Sequence, residues 1–286
     1  MEAWLIISNA QTLGLANSMR LLSNDIRIDQ ADVWTLRGNL DKFSETIPTY
    51  DRVVIHPQIE HGFCDFSAAK QLSRIPSIQF DAYHPDVCFV TARRQLLNGP
   101  IGAYQSMIVL AAFQLGLDVE KTRRLFRRDI FERCGFFSRW EGERKQLLER
   151  FAAHGLDMSA PFRAWSRGES FMYGIDHSKA RPIHDIAHVF LQQCGIETNQ
   201  TDIVPADTIM VGACFPVYPE VAETLGVEGS YMFKPHKEYK LLSLEAFIEQ
   251  SFAAYAKYSL EEIAPDARFA ERCDRVKSVI AAEKRQ

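Results

Sequence analysis

The stretch "WLIISNAQTLGLANSMRLL", residues 4–22, decides how the chain is read. Residues 3–7 are a continuous apolar run bounded by polar positions, the pattern of a strand buried on both faces of a parallel sheet. Ser8-Asn9-Ala10-Gln11-Thr12 interrupts it, and Leu15, Met19 and Leu22 then recur at i, i+4 and i+7, a helix face that ends at Ser23-Asn24-Asp25. Strand, polar turn and helix start is a common way for an α/β protein to present a catalytic group. Yet Ala10, which carries no chemistry, stands at the centre of the turn.

Outward from this stretch the alternation continues. A second strand is expected over residues 26–36, and a short helix is marked by Leu40, Phe43 and Ile47. "RVVIH" at 52–56 reads as a third strand and "SIQF" at 77–80 as a fourth. This order favours a parallel sheet with helices on its faces. From about residue 100 the character changes to charged helical sequence up to His154-Gly155. A short extended piece over 171–175 precedes a helix from near Pro182 to Gln193, with Pro in the first turn and Gly195 just past the end. An amphipathic helix over 244–257 and a charged helix close the chain. The expected architecture is α/β: a parallel-sheet core of the Rossmann-like three-layer type in a single domain over 1–286. The core would comprise 1–98 and parts of 170–240, with a helical insertion over about 100–168 and C-terminal helices over about 243–284.

The bulk numbers narrow the class. With 47% hydrophobic and 24% charged residues, the 286-residue chain has the make-up of a soluble globular protein with a sizeable core. A net charge of -4 disfavours a sequence-independent nucleic-acid binder. No basic n-region precedes the short N-terminal apolar run, and no apolar stretch reaches about 18 residues, so neither a signal peptide nor an integral membrane segment is expected. The six cysteines are scattered without a C-x-x-C pair and read as reduced thiols of a cytoplasmic protein.

In an open parallel sheet, ligands bind outside the carboxyl ends of the strands. Three loops fall there: residues 8–12 with Asn9 and Gln11, residues 56–61 ("HPQIEH") with His56 and Gln58, and residues 81–86 ("DAYHPD") with His84. Polar strand ends also occur simply because they are exposed. A second constellation is "FMYGIDHSKARPIHDIAHVFL". There His177 is a candidate general base with Asp176 beside it, and Lys179 and Arg181 at a helix start suit an anion, although a capped and solvated helix start explains the same residues. His184-Asp185-x-x-His188 approaches the zinc motif H-E-x-x-H, with Asp in place of Glu and no evident third ligand, so no metal is expected. The basic run Lys121, Arg123, Arg124, Arg127, Arg128 and Arg133 suits an acidic ligand or, with its interspersed acids, a solvated helix face. No P-loop, G-x-G-x-x-G or G-x-S-x-G is present.

Taken in order, these blocks resemble the capsule polysaccharide biosynthesis enzymes of WcbI type, coenzyme A-binding proteins regarded as acetyltransferases. The family's Gly-Asn-Cys-Gln after the first strand reads Ser8-Asn9-Ala10-Gln11 here. Its Gln-containing loop is matched by "DRVVIHPQI", and its Tyr-His-Pro element by "IPSIQFDAYHPD". "GPIGAYQSMIVLAAFQLGL", with Tyr104, Ser106 and Gln105 where His is usual, resembles its Gly-Pro…Tyr-His-Ser helix start. "FMYGIDHSKARPIHDIAHVFL" resembles its Asn-His-Pro segment with Asp176 for Asn and Ser178 for Pro, and "VYPEVAETLGVEGSYMFK" followed by "LSLEAFIEQSFAAY" also fits. The order is similar, more distantly, to the SGNH hydrolase superfamily, on which comparison Ala10 takes the nucleophile position and His177 that of the base.

The resemblance implies a CoA-dependent O-acetyltransferase of surface polysaccharide assembly, using acetyl-CoA and a sugar or polysaccharide precursor and leaving homo-oligomer formation open. It implies His177 as base, Asp176 beside it, and Asn9 and Gln11 on the thioester carbonyl. His56, Gln58, His84, Tyr104, Ser106, Lys179 and Arg181 would bind CoA. Alanine forms no acyl-enzyme, so a non-catalytic CoA- or glycan-binding homologue is the alternative reading. An SGNH-like or metal-dependent hydrolase around His184 and His188 is the second.

Overall fold

The first apolar run forms strand β1 (Glu2–Ser8), and the helical pattern after the turn forms α1 (Thr12–Leu22). A computed structural model describes residues 1–60 and 64–285, so His61 of the second rim loop lies outside the described residues. β1 is flanked on both sides. It pairs in parallel with β2 (Ile26–Asp32) and with β3 (Arg52–Ile55), and β3 pairs in parallel with β4 (Leu72–Arg74), giving the order β2-β1-β3-β4. The expected parallel α/β sheet is thus present.

Chain contacts divide the protein into two compact units. The first comprises Met1–Gln79, Arg144–Arg167 and Asp176–Ile209 and contains this sheet. Strand alternation sorts its two faces. Leu5, Ile7, Val53 and Ile55 point into a cluster with Leu36, Ile47, Tyr50, Ile59 and Phe66. Trp4, on the other face, meets Phe190 of the Ala180–Gln193 helix edge-on at 6.1 Å between ring centroids. Gly14 of α1 lies against Ile183 near the start of that same helix, where an added Cβ would come within 3.2 Å. The two contacts fix its direction. It runs antiparallel to β1, so its N-terminus stands at the carboxyl edge of the sheet.

Several local expectations shift. The second strand stops at Asp32, whose carboxylate accepts the Thr35 N–H at 2.7 Å and starts the Val33–Arg37 helix. "SIQF" joins no ladder, because the ladder ends at Ile75 N–H to Ile55 carbonyl and Pro76 has no N–H to continue it. The fourth strand is β4 instead. Residues 171–175 make single backbone bonds, Ile175 accepting from Phe80 and Tyr173 from Phe215, without forming a strand. The helix read from Pro182 begins at Ala180, which leaves Pro182 in the first turn, where its missing N–H costs nothing.

The second unit comprises Phe80–Glu143, Gly168–Ile175 and Met210–Gln286. It is built on the helices Met107–Gln114, Leu244–Tyr255 and Ala270–Glu283, with a small antiparallel sheet of Val90–Ala92, Gln95–Leu96 and Ile263–Pro265. Asp81 is gripped by Arg139 and Arg272, and Arg139 also bonds Glu143. Among the described residues no helix is long and apolar enough to cross a membrane.

The Gly14 contact yields a packing prediction. Gly14→Leu is expected to cost about 1–3 kcal/mol by overpacking against Ile183, and Ile183→Ala in the same chain should recover part of the loss. Urea unfolding of the two single variants and the double variant checks this.

Candidate functional site

Strand order places the crevice. β1 is followed by β2 on one side, and the chain then crosses to β3 on the other, so the topology switches between β1 and β3. Loops leaving adjacent strands in opposite directions open a gap outside their carboxyl ends, where ligands of doubly wound sheets bind. The residues at that gap are the Ser8–Gln11 turn after β1 and His56 after β3, tied together by the His56 N–H donating to the Ile7 carbonyl at 3.0 Å.

In the turn, the Asn9 side-chain oxygen accepts the Gln11 N–H at 3.2 Å, and the Asn9 carbonyl accepts both the N–H and the hydroxyl of Thr12. This Asx-type closure leaves Ala10 exposed at the tip and turns Gln11 inward. Gln11 is 3% exposed, and its amide reaches the Pro76 carbonyl at 3.5 Å. Ser8 is buried, with a hydroxyl that has no partner.

His56 is buried, and its protonation follows from its neighbours. Its Nδ1 accepts the Gln58 N–H at 3.2 Å, so in the neutral ring the hydrogen sits on Nε2, which donates to Ser77 Oγ at 3.1 Å. Burial, helped by the charges of Arg150 and His154, pushes its pKa down to about 4. His56 is therefore a neutral donor that orients the Ser77 hydroxyl, and it takes no proton from it. Gln58 contributes its backbone, and its side chain is exposed.

The third contributor is the segment before the Ala180–Gln193 helix, which the direction of that helix brings to the same edge. His177 Nδ1 lies 3.2 Å from Asp176 Oδ1, and both side chains are 36% exposed. Adjacent side chains seldom pair, but the bend here allows it. Lys179 is the N-cap residue and is half-buried. Arg181 is exposed and donates to the Asp202 carbonyl at 3.1 Å, while the Asp207 carboxylate accepts the Ala180 N–H at 2.9 Å. Part of the anion-binding capacity of this helix start is thus met from within the chain.

Three residues expected at the site belong to the second unit and are buried there. His84 directs Nδ1 to the Pro216 carbonyl at 3.3 Å. The Tyr104 ring stacks on Phe89 and lies so close to Gly174 that any Cβ there would be 2.7 Å from it. Ser106 is fully buried, capping the Met107–Gln114 helix through Val109 N–H and donating to Asp86. Asp86 also accepts from Tyr218 and from the Ile108 N–H, yet complete burial still raises its pKa to about 7.

The remaining motifs resolve as follows. His184 is 3% exposed and burial lowers its pKa, His188 bonds Thr198 Oγ1 at 3.1 Å, and Asp185 accepts the Trp165 indole N–H at 2.8 Å. Asp185, the acid of the zinc-like motif, is thus held by Trp165. The basic run is a solvated face: its arginines pair with Glu120, Asp129, Glu223 and Glu283. Sequence reading missed Ser77, hidden in a supposed strand, and Asp207, in a segment without periodicity.

A parallel α/β unit with titratable groups at the switch point of its sheet defines an α/β protein of the open-sheet class. The family model of the polysaccharide biosynthesis enzyme WcbI matches residues 3–199, and the chain belongs to that family. No curated protein matches it. A solved structure of WcbI, described as a polysaccharide biosynthesis enzyme in its native form without a disulfide bond between coenzyme A and a cysteine, shares the fold. Its TM-score is 0.70 at 16% identity, over 99% of this chain and 98% of that one.

The state of His56 sets a pH dependence. A folded pKa of about 4 against about 6.5 unfolded means the unfolded chain binds the extra proton between those values. The His56 contribution to stability is therefore complete above about pH 6.5 and is lost as pH falls toward 4. His56→Gln, whose amide can accept from Gln58 and donate to Ser77, is expected to flatten this slope. Urea midpoints of both proteins at pH 4.5 to 7.5 measure it.

Proposed function

We propose that the chain is a CoA-dependent O-acyltransferase acting on a sugar hydroxyl, with acetyl-CoA as donor. The observation that carries the reading is the Asp176–His177 pair at the carboxyl edge that also holds the Asn9–Gln11 turn. Its support is membership of a polysaccharide biosynthesis family, together with the coenzyme A named for the structurally similar WcbI. In this reading the sugar oxygen bonds to the thioester carbonyl carbon and the carbon–sulfur bond breaks. His177 Nε2 removes the hydroxyl proton and returns it to the departing thiolate, while Asp176 holds Nδ1–H and steadies the imidazolium. The Asn9 side-chain oxygen is committed to Gln11, so its NH2 group is the donor for the charge that develops on the carbonyl oxygen. Gln11, turned inward, supports that turn. Lys179 and Arg181 would meet CoA phosphates, and Gln58 the rim. His56 would line the pocket as a neutral donor through Ser77.

Direct transfer suits Ala10, since no side chain at the tip can carry the acyl group. The same alanine favours the second reading, a homologue that binds CoA or a glycan without turning it over. Calorimetry with CoA and acetyl-CoA on the full chain, and acetyl-CoA consumption with candidate sugars, separate the two. His177→Ala is expected to lower transfer by about 10²–10⁴-fold with CoA affinity nearly unchanged. Equal background rates in both proteins would leave binding alone, and no CoA binding at all would end both CoA readings.

The exposed Ala10 position offers an independent test of where the thiol end of CoA lies. Ala10→Cys places a thiol just before the start of α1, where the helix N-terminus favours a thiolate. With oxidised CoA this variant is expected to form a mixed disulfide at residue 10, located by peptide mass spectrometry, and the parent chain none there.

A further inference from the structure

The first unit holds a polar cavity that the acyl-transfer reading does not use. It measures about 480 Å³ and is lined by, among others, Arg52, Ser73, Arg74, His154, Gln193 and Cys194. Small-molecule sites run roughly 300–1,000 Å³, so it admits a monosaccharide. It opens at the end of the Ala180–Gln193 helix, whereas His177 precedes the start. Fourteen helical residues separate the two by about 20 Å.

Among the described residues, one of its two arginines has no ion-pair partner. Arg74 is held two-pronged by Glu60 and carries no net charge into the cavity. Arg52 donates Nη1 to Ser73 Oγ at 2.6 Å and lies 4.9 Å over the Trp4 ring, and among the described residues no carboxylate pairs with it. Its Nε is buried without a partner. The Glu2 carboxylate acts on the same Cys194 but accepts the Trp4 indole N–H at 2.7 Å and makes no ion pair with Arg52. With Nη1 on Ser73 and Nε enclosed, a guanidinium fixed by a hydroxyl and an aromatic face keeps Nη2 for an external carboxylate. The opposite wall is different. Ala153 and His154 follow the Trp140–Ala152 helix, and Gln193 and Cys194 end the other, so the negative ends of two helix dipoles lie on this side. The carbonyls of Phe190, Leu191, Gln192, Phe151 and Ala152 accept backbone N–H groups and that of His154 accepts from Gln193 Nε2, which leaves the side chains of His154 and Gln193 as the polar groups of the wall. A bare, multiply charged anion is disfavoured beside two helix C-termini, while hydroxyl groups find side-chain partners in Ser73, His154 and Gln193.

We propose that this cavity binds a sugar acid, its carboxylate on Arg52 and its hydroxyls on the side chains of Ser73, His154 and Gln193. The inference rests on the cavity alone and stands whether or not the acyl-transfer reading does.

Cys194, half-buried in the lining, serves as the reporter. Its alkylation by iodoacetamide is followed by peptide mass spectrometry on the full chain, with glucuronate, glucose or inorganic phosphate as the probe. Glucuronate is expected to slow Cys194 alkylation saturably while leaving Cys64 and Cys214 unaffected. Arg52→Gln should raise the concentration needed by about 10- to 100-fold, the cost of a lost charged hydrogen bond. Since Arg52 also packs on Trp4, Arg52→Lys is the companion variant. It keeps the charge without the fork and should weaken protection by a smaller but measurable factor. No protection by glucuronate, or protection unchanged in these variants, overturns the proposal. Glucose protecting as well as glucuronate overturns the role of Arg52, and phosphate doing so overturns the assignment to a sugar acid.

Discussion

β1 is the constraint on which the rest of the first unit depends. It is paired along both edges, with β2 from Glu2 to Ser8 and with β3 from Trp4 to Ile7, so its backbone is committed to the ladders and its side chains to two buried faces. A strand held in this way cannot shift register without moving Leu5 and Ile7 from one core face to the other. Its carboxyl end is therefore fixed, and the turn that leaves it starts from a defined point. The bond from His56 to Ile7 extends the same ladder by one step and sets the second loop beside the first. The crevice follows from the order in which the chain adds strands around β1.

Chemistry at this edge is set by how buried polar groups find partners. His56 could be read from composition as a base, but a backbone N–H on Nδ1 settles its tautomer and burial keeps it neutral, so it serves as a donor. The pair of Asp176 and His177 is placed differently. It is half-exposed, at the end of a loop and before a helix, where an imidazole can meet solvent and ligand. Asp86 in the second unit shows the opposite arrangement, a carboxyl enclosed by three donors and still raised in pKa by complete burial. Such a group organises its surroundings, joining Ser106, Tyr218 and the Ile108 backbone.

Much of the frame was legible from residue pattern. The apolar run before Ser8, the spacing of Leu15, Met19 and Leu22, and the "RVVIH" strand all survive in the structure. "SIQF" misled because β-propensity says nothing about whether a neighbour can donate, and Pro76 had already ended the ladder. Tyr104, Ser106 and His84 were legible as polar groups in the sequence, but their burial in the second unit was not, because it depends on packing and not on residue type. Ser77 and Asp207 gave no signal, since one looked like strand filler and the other lay in an aperiodic segment. A residue's type states what it can do, and only its neighbours state what remains undone.

The sequence by itself determined the α/β class, the turn at Ser8–Gln11 with an inert alanine at its tip, and the polar cluster before the Ala180–Gln193 helix. These are local properties, written in hydrophobic period and turn chemistry over a dozen residues. Tertiary structure decided the strand order, the tautomer of His56, the pairing of Asp176 with His177, and the hydroxyl and aromatic partners of Arg52. Each of these depends on which segment supplies a hydrogen-bond partner or an aromatic face. That choice is made when the sheet and its helices pack, and no local pattern contains it.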